Sequence, residues 1–151
     1  MTPLSRAERP RLLDVNVLLA LTYPLHVHHR DAHLWFAQID NWATTPMTEA
    51  GLVRLLLNRA IMGGDYSAAT GVDLLRRLRA LDGHVFLPDD SSLADSTVSL
   101  QALVGHRQVT DLHLANLAAR HGFRLATFDR RLLDALPKDD QDSVEIVPIA
   151  P

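Results

Sequence analysis

Cysteine is absent from the 151-residue chain, which excludes disulfides and thiolate metal ligands and fits a reducing, cytoplasmic setting. Lysine is nearly absent: Lys138 is the only one among fifteen basic residues. Positive charge is therefore carried by arginine, which suits bidentate phosphate contacts, although a GC-rich coding sequence produces the same bias. The net charge of −3 argues against a broad basic footprint for nucleic acid. Only the local patches Arg76-Arg77-Arg79 and Arg130-Arg131 remain. No long apolar run exists; Val17 to Leu21 is far too short to span a bilayer. Met1 to Pro10 mixes charge with proline and lacks the apolar core of a signal peptide. No membrane role is expected.

What is present reads as one α/β domain. Residues 1–10 form a lead-in, and 11–151 are enough to bury a core. Short apolar runs at Arg11–Leu13, Trp42–Thr45, Val85–Leu87, Arg124–Thr127 and Val144–Val147 read as five strands. Between them lie helical patterns. Val17–Leu21 is apolar on nearly all sides and ends before Pro24; His29–Ile39 follows. Thr48 is placed to cap a helix over Glu49–Asn58, and Ser67 one running to Leu81, with Gly83 just beyond. Gly63-Gly64-Asp65 reads as a loop, Leu93–Leu103 as a further helix, and Thr110 as the cap of a helix through Arg120. Strands alternating with helices predict a central parallel sheet of about five strands with helices on both faces.

Four acids occupy informative places: Asp14, Asp111, Asp129 and Glu49. Each follows a strand-like run or opens a helix-like one. Positions just past strand ends converge on one edge of such a sheet. Carboxylates gathered there repel, and a divalent cation is the usual relief. Mg²⁺ or Mn²⁺ needs few protein oxygens, and such an ion activates water and relieves charge in phosphodiester hydrolysis. On that reading Asp14 is the first or bridging ligand, Asp111 and Asp129 hold the cation from the far side, and Glu49 orients a water or a second ion. Asn16 and Thr127 would hydrogen-bond the carboxylates or the phosphate. Each acid taken alone also reads as a helix cap or a first-turn charge.

Three stretches carry a resemblance: Leu12-Leu13-Asp14-Val15-Asn16-Val17-Leu18-Leu19-Ala20-Leu21, Thr48-Glu49-Ala50-Gly51-Leu52-Val53-Arg54, and Val109-Thr110-Asp111-Leu112-His113-Leu114-Ala115 running on to Ala126-Thr127-Phe128-Asp129. Over about residues 11 to 135 the chain resembles the PIN-domain family, and within it the VapC-type toxins. The resemblance implies a Mg²⁺-dependent (or Mn²⁺-dependent) endoribonuclease, a cognate VapB-type antitoxin, an RNA substrate and a homodimer. It implies that Asp14 and Asp111 are most directly tied to the metal, that Glu49 and Asp129 complete an acidic quartet, and that Asn16 and Thr127 support it. Arg54 matches an arginine often seen after the second acid. A catalytically silent PIN-like module that binds RNA or protein is the alternative. A phosphatase with an Asp nucleophile after its first strand is disfavoured, because Asn16 stands where a second Asp belongs.

Other groups invite weaker readings. His26, His28, His29 and His33 cluster in sequence without a third zinc ligand in place, so a rim cluster beside the acids is expected rather than a metal site. His106 and His113 flank Asp111, and His121 fits a core face. Asp89-Asp90 read as a turn and cap, with an extra site carboxylate as the alternative. Trp35 and Trp42 read as packing, and Arg76-Arg77-Arg79 as a solvated face.

Overall fold

A strand buried on both faces must be apolar at successive positions, and β1 (Arg11–Leu13) is: Leu12 and Leu13 are fully buried against different core clusters. In the computed structural model, which describes residues 2–64 and 66–151, β1 is the centre of a five-stranded sheet. β2 is Trp42–Thr44, β3 His84–Phe86, β4 Arg124–Thr127 and β5 Val144–Ile146. The order is β3-β2-β1-β4-β5 and every pairing is parallel. The chain leaves β1 toward β2 on one side and later returns to β4 on the other. The crevice beyond the carboxyl ends of β1 and β4 is therefore the topological switch point, where open α/β sheets place their ligands.

Helices cover both faces. On one, α1 (Val15–Thr22), α2 (His29–Phe36), α3 (Pro46–Leu56), the short α4 (Arg59–Met62) and α5 (Ala68–Arg79) pack over Leu13, Trp42 and Ala126. On the other, α6 (Val109–Arg120) and α7 (Arg130–Ala135) pack over Leu12, Ala43 and Leu125. Among the described residues no helix is long and apolar enough to cross a membrane.

The sheet's amino-terminal end is tied by one carboxylate. Glu145 accepts from Arg124 at 2.7 Å, Trp35 Nε1 at 2.9 Å and Arg11 at 3.1 Å. Burial alone would raise its pKa, but Arg11, Trp35 and Arg124 together hold it below the usual value. The lead-in is also anchored, since Arg9 and Arg6 both pair with Asp142. At the turn into β3, Gly83 has φ +83°, and a Cβ there would sit 1.8 Å from the Asp40 carbonyl oxygen. Only glycine fits that approach.

Several boundaries differ from the sequence reading. Pro46 opens α3 rather than only closing β2, and the cap is Thr45, paired with Thr48 in a capping box. Proline suits the first helical position, where its missing N–H has no role. The residues 93–103 form two 3₁₀ turns, Leu93–Asp95 and Leu100–Ala102, instead of a helix. Ser92 and Ser99 cap each turn locally, and Asn116 Oδ1 holds the extended residues between them through the Thr97 N–H (2.6 Å). Serine hydroxyls that bond nearby backbone compete with helix. α6 starts at Val109 after a 3₁₀ turn at His106–Gln108, so Thr110 is inside the helix rather than its cap. α2 stops at Phe36. His121 lies past the end of α6 and pairs with Asp90 at 2.6 Å, not with the core. Gly63 caps α4 in the left-handed conformation; Asp65 of the expected loop, like Met1 of the lead-in, lies outside the described residues.

Candidate active site

Asp14 follows β1 directly. Its N–H continues the ladder to Ala126 (2.9 Å), and its side chain caps α1 by accepting from the Val15 N–H at 2.7 Å. Its other carboxylate oxygen accepts the Thr127 hydroxyl, also at 2.7 Å. Thr127 ends β4, and its Oγ1 in turn accepts the N–H of Asp129 at 3.1 Å. One threonine thus couples the acids beyond both central strands. Asp129 caps α7 through the Arg131 N–H at 3.0 Å. Asp111 reaches the same place from the first turn of α6.

These three carboxylates line one cleft of about 750 Å³ between α1, α3 and α6. Asp14 is only 7% exposed. Burial pushes its pKa up against the Thr127 and Val15 hydrogen bonds, and the charge of Asp129 adds to the rise. Asp111 is pushed up to about 6, first by burial and then by Asp14 and Asp129, with Arg131 offsetting part of the effect. Among the described residues no hydrogen-bond donor reaches the Asp111 carboxylate. Carboxylates held this close, with little relief from cations of the chain, form a cation-seeking site.

Glu49 does not join them. Its carboxylate takes the Thr44 hydroxyl and faces Arg79 at 3.5 Å, leaving its side chain 12% exposed. The same Thr44 Oγ1 contacts His84 Nε2 at 2.7 Å, and Arg79 lies over the Phe86 ring. The cause is helical phase. As α3 packs, the row Pro46, Ala50, Arg54 faces the cleft at i, i+4, i+8 with Met47 and Gly51 beside it. Glu49 falls roughly 100° away from Ala50.

The fourth carboxylate on the cleft wall is Asp89, which the sequence offered only as an alternative to a turn. It follows β3 and Pro88, and His113 Nε2 meets its Oδ1 at 2.7 Å. The strand-end rule that selected Asp14 and Asp129 applied to it equally. Asn16 also lines the cleft but makes no hydrogen bond to the acids. Gly51 lets α3 close on α1: a Cβ there would come within 2.7 Å of Val15 Cγ2.

The histidine cluster divides. His29 Nδ1 and His33 Nε2 meet the carbonyls of Ala20 (2.6 Å) and Leu21 (2.9 Å), satisfying the carboxyl end of α1. His26 and His28 pack instead on Phe128, the chain neighbour of Asp129. Trp35 and Trp42 are core residues.

Among the described residues no three His, Asp or Glu side chains are drawn into a ready-made metal cage. Mg²⁺ does not need one, because it keeps several waters and uses one or two carboxylates. The oxygen-only donor set and the raised Asp111 fit such an ion.

An acidic cleft thus lies at the β1/β4 switch point of a five-stranded parallel sheet. Residues 11–138 match the PIN domain, and the chain belongs to the PIN-domain family. It is 50% identical to Ribonuclease VapC39 of Mycobacterium tuberculosis over 127 residues, covering 82% of this chain and 91% of that protein. It is 44% identical to Ribonuclease VapC38 of the same species over 140 residues, 91% of this chain and 98% of that one. The fold is similar to the crystal structure of Mycobacterium tuberculosis VapC20, a sarcin–ricin loop cleaving toxin, with TM-score 0.58 at 17% identity over 83% of this chain and 94% of that one.

Proposed function

We propose that the protein is a divalent-cation-dependent endoribonuclease and the toxin of a toxin–antitoxin pair. The carrying observation is the convergence of Asp14, Asp111 and Asp129 in one cleft, with Asp111 raised to about 6. The ribonuclease names of relatives 44–50% identical over most of their length support it.

Asp14 and Asp111 would hold the ion, Mg²⁺ or Mn²⁺. Such an ion supplies charge relief at phosphorus and a more acidic water. The chain does the positioning. The Val15 N–H and Thr127 hydroxyl fix both oxygens of Asp14. Asp111, which no hydrogen-bond donor reaches among the described residues, leaves its oxygens free for the ion. Asp129 is turned inward by its cap on α7, and Asp89 is oriented by His113. Single-stranded or looped RNA fits a narrow cleft best, because its backbone bends and its bases splay.

The partners in this reading are the RNA substrate, a VapB-type antitoxin that folds onto the acidic edge, and a second copy of the chain in a homodimer. The setting is the cytoplasm. The test is cleavage of single-stranded RNA by purified protein across a Mg²⁺ and Mn²⁺ titration. Cleavage that needs the cation and stops with chelator is expected. Cation-independent cleavage, or none by protein that arrests growth, would overturn the reading.

A further inference from the structure

One cation of the chain that lines the cleft has no acid partner among the described residues. Arg54 stands one turn beyond Ala50 on the cleft face of α3, on a wall shared with Asp14, Asp111, Asp129 and Asp89. It is exposed, and among the described residues it makes no hydrogen bond and no ion pair. Other arginines of the chain sit on carboxylates: Arg11 and Arg124 on Glu145, Arg77 on Asp73, Arg79 on Glu49. At the cleft itself Arg131, not Arg54, pairs with Asp129 and offsets the charge on Asp111. A guanidinium that lines the same cleft as four acids, bonded to none of them among the described residues, is left open to an incoming anion.

RNA brings that anion. A cleft of carboxylates repels a phosphodiester, so a positive side chain lining the same cleft favours its approach. Arginine's planar fork matches two phosphate oxygens at once. We propose that Arg54 binds the non-bridging oxygens of the scissile phosphate, a catalytic contact within the reaction proposed above, on which this inference rests. The carboxylates govern water and cation from one side; Arg54 meets the charge growing on phosphorus from α3. Groups aimed at such developing charge lower the barrier directly.

Arg54→Gln and Arg54→Lys test this, each made in the wild-type chain and in Asp14→Asn. On a single-stranded RNA reporter of mixed sequence, Arg54→Gln is expected to lower kcat about 100-fold, with unchanged thermal midpoint and Mn²⁺ binding. Arg54→Lys should recover part of the loss, because it restores charge without the fork. The deciding readout is the salt dependence of binding in the Asp14→Asn background, measured by anisotropy of a fluorescein-labelled single-stranded RNA octamer. Removing Arg54 should reduce the slope of log K against log salt by about 0.7, one single-strand phosphate contact. An unchanged slope, or no saturable octamer binding, overturns the proposal whatever kcat does. Loss of slope with a wild-type protein that cuts no RNA would leave Arg54 as a phosphate ligand and remove the nuclease reading instead.

Discussion

Replacing Asp14 by Asn should stabilise the cation-free protein while destroying its activity. Asp14 is almost fully buried and raises the proton affinity of Asp111, whose pKa stands near 6 against 3.8 for a free side chain. Each pKa unit corresponds to about 1.4 kcal/mol. Burial is the largest cause and the charge of Asp14 the next, and solvent reaching Asp111 screens that charge. Relief of about 1 kcal/mol remains, roughly 2–4 °C in thermal midpoint for a chain of this size. The amide keeps an acceptor for the Val15 N–H, and its NH₂ can face Thr127 Oγ1. The sign with pH follows from the raised pKa values. Folded Asp111 holds its proton more tightly than the unfolded chain, so its contribution is lost as pH rises from about 4 through about 6, and the raised pKa of buried Asp14 acts in the same direction. Melting curves in EDTA should therefore show Asp14→Asn above wild type at pH 7.5 and nearly level at pH 5, while RNA cleavage falls at least ~10³-fold. A variant less stable at both pH values, or equally advantaged at pH 5, would refute the repulsion argument.

Glu49→Gln should retain cleavage within about tenfold of wild type yet lower stability by about 1 kcal/mol, because it loses the charged contact to Arg79 and weakens that to Thr44; cleavage lost as completely as in Asp14→Asn would show that Glu49 turns into the cleft. Gly51→Ala should cost about 1–3 kcal/mol and slow cleavage, since its methyl would wedge α3 from Val15 on the cleft wall; a denaturation midpoint equal to wild type would mean that Val15 simply yields. Glu145→Gln should cost about 3 kcal/mol by urea unfolding at pH 7, as it strands the 3%-exposed Arg124. Since its folded pKa is depressed, that difference should be present above about pH 4.5 and shrink as pH falls through the lower folded value; a pH-independent difference would assign the loss to packing.

The sheet was legible because its strands are short apolar runs set off by proline, glycine and asparagine, and the acids after β1 and β4 inherit their place from strand ends. Asp111 was legible from the helix pattern that follows it, even though the cap was misplaced. Glu49 was not, because its direction depends on which face of α3 packs toward the cleft, a tertiary choice. That packing presents Gly51 and Arg54 to the cleft in its stead. Asp89 was readable by strand-end logic but hidden in a Pro-Asp-Asp-Ser stretch that also spells a turn. The capping role of His29 and His33 depends on α2 lying across the end of α1, a tertiary contact that no local pattern encodes. The 93–103 segment was misread because its apolar spacing suits a helix while its serines cap locally and stop each turn.

The most direct test is the mapping of RNA ends in cells after brief induction of wild-type protein and, separately, of Asp111→Asn. New ends at discrete sites with the wild type, absent with the variant at equal protein level, are the expected result. The same ends at the same abundance from the variant would contradict an acidic cleft that cuts RNA.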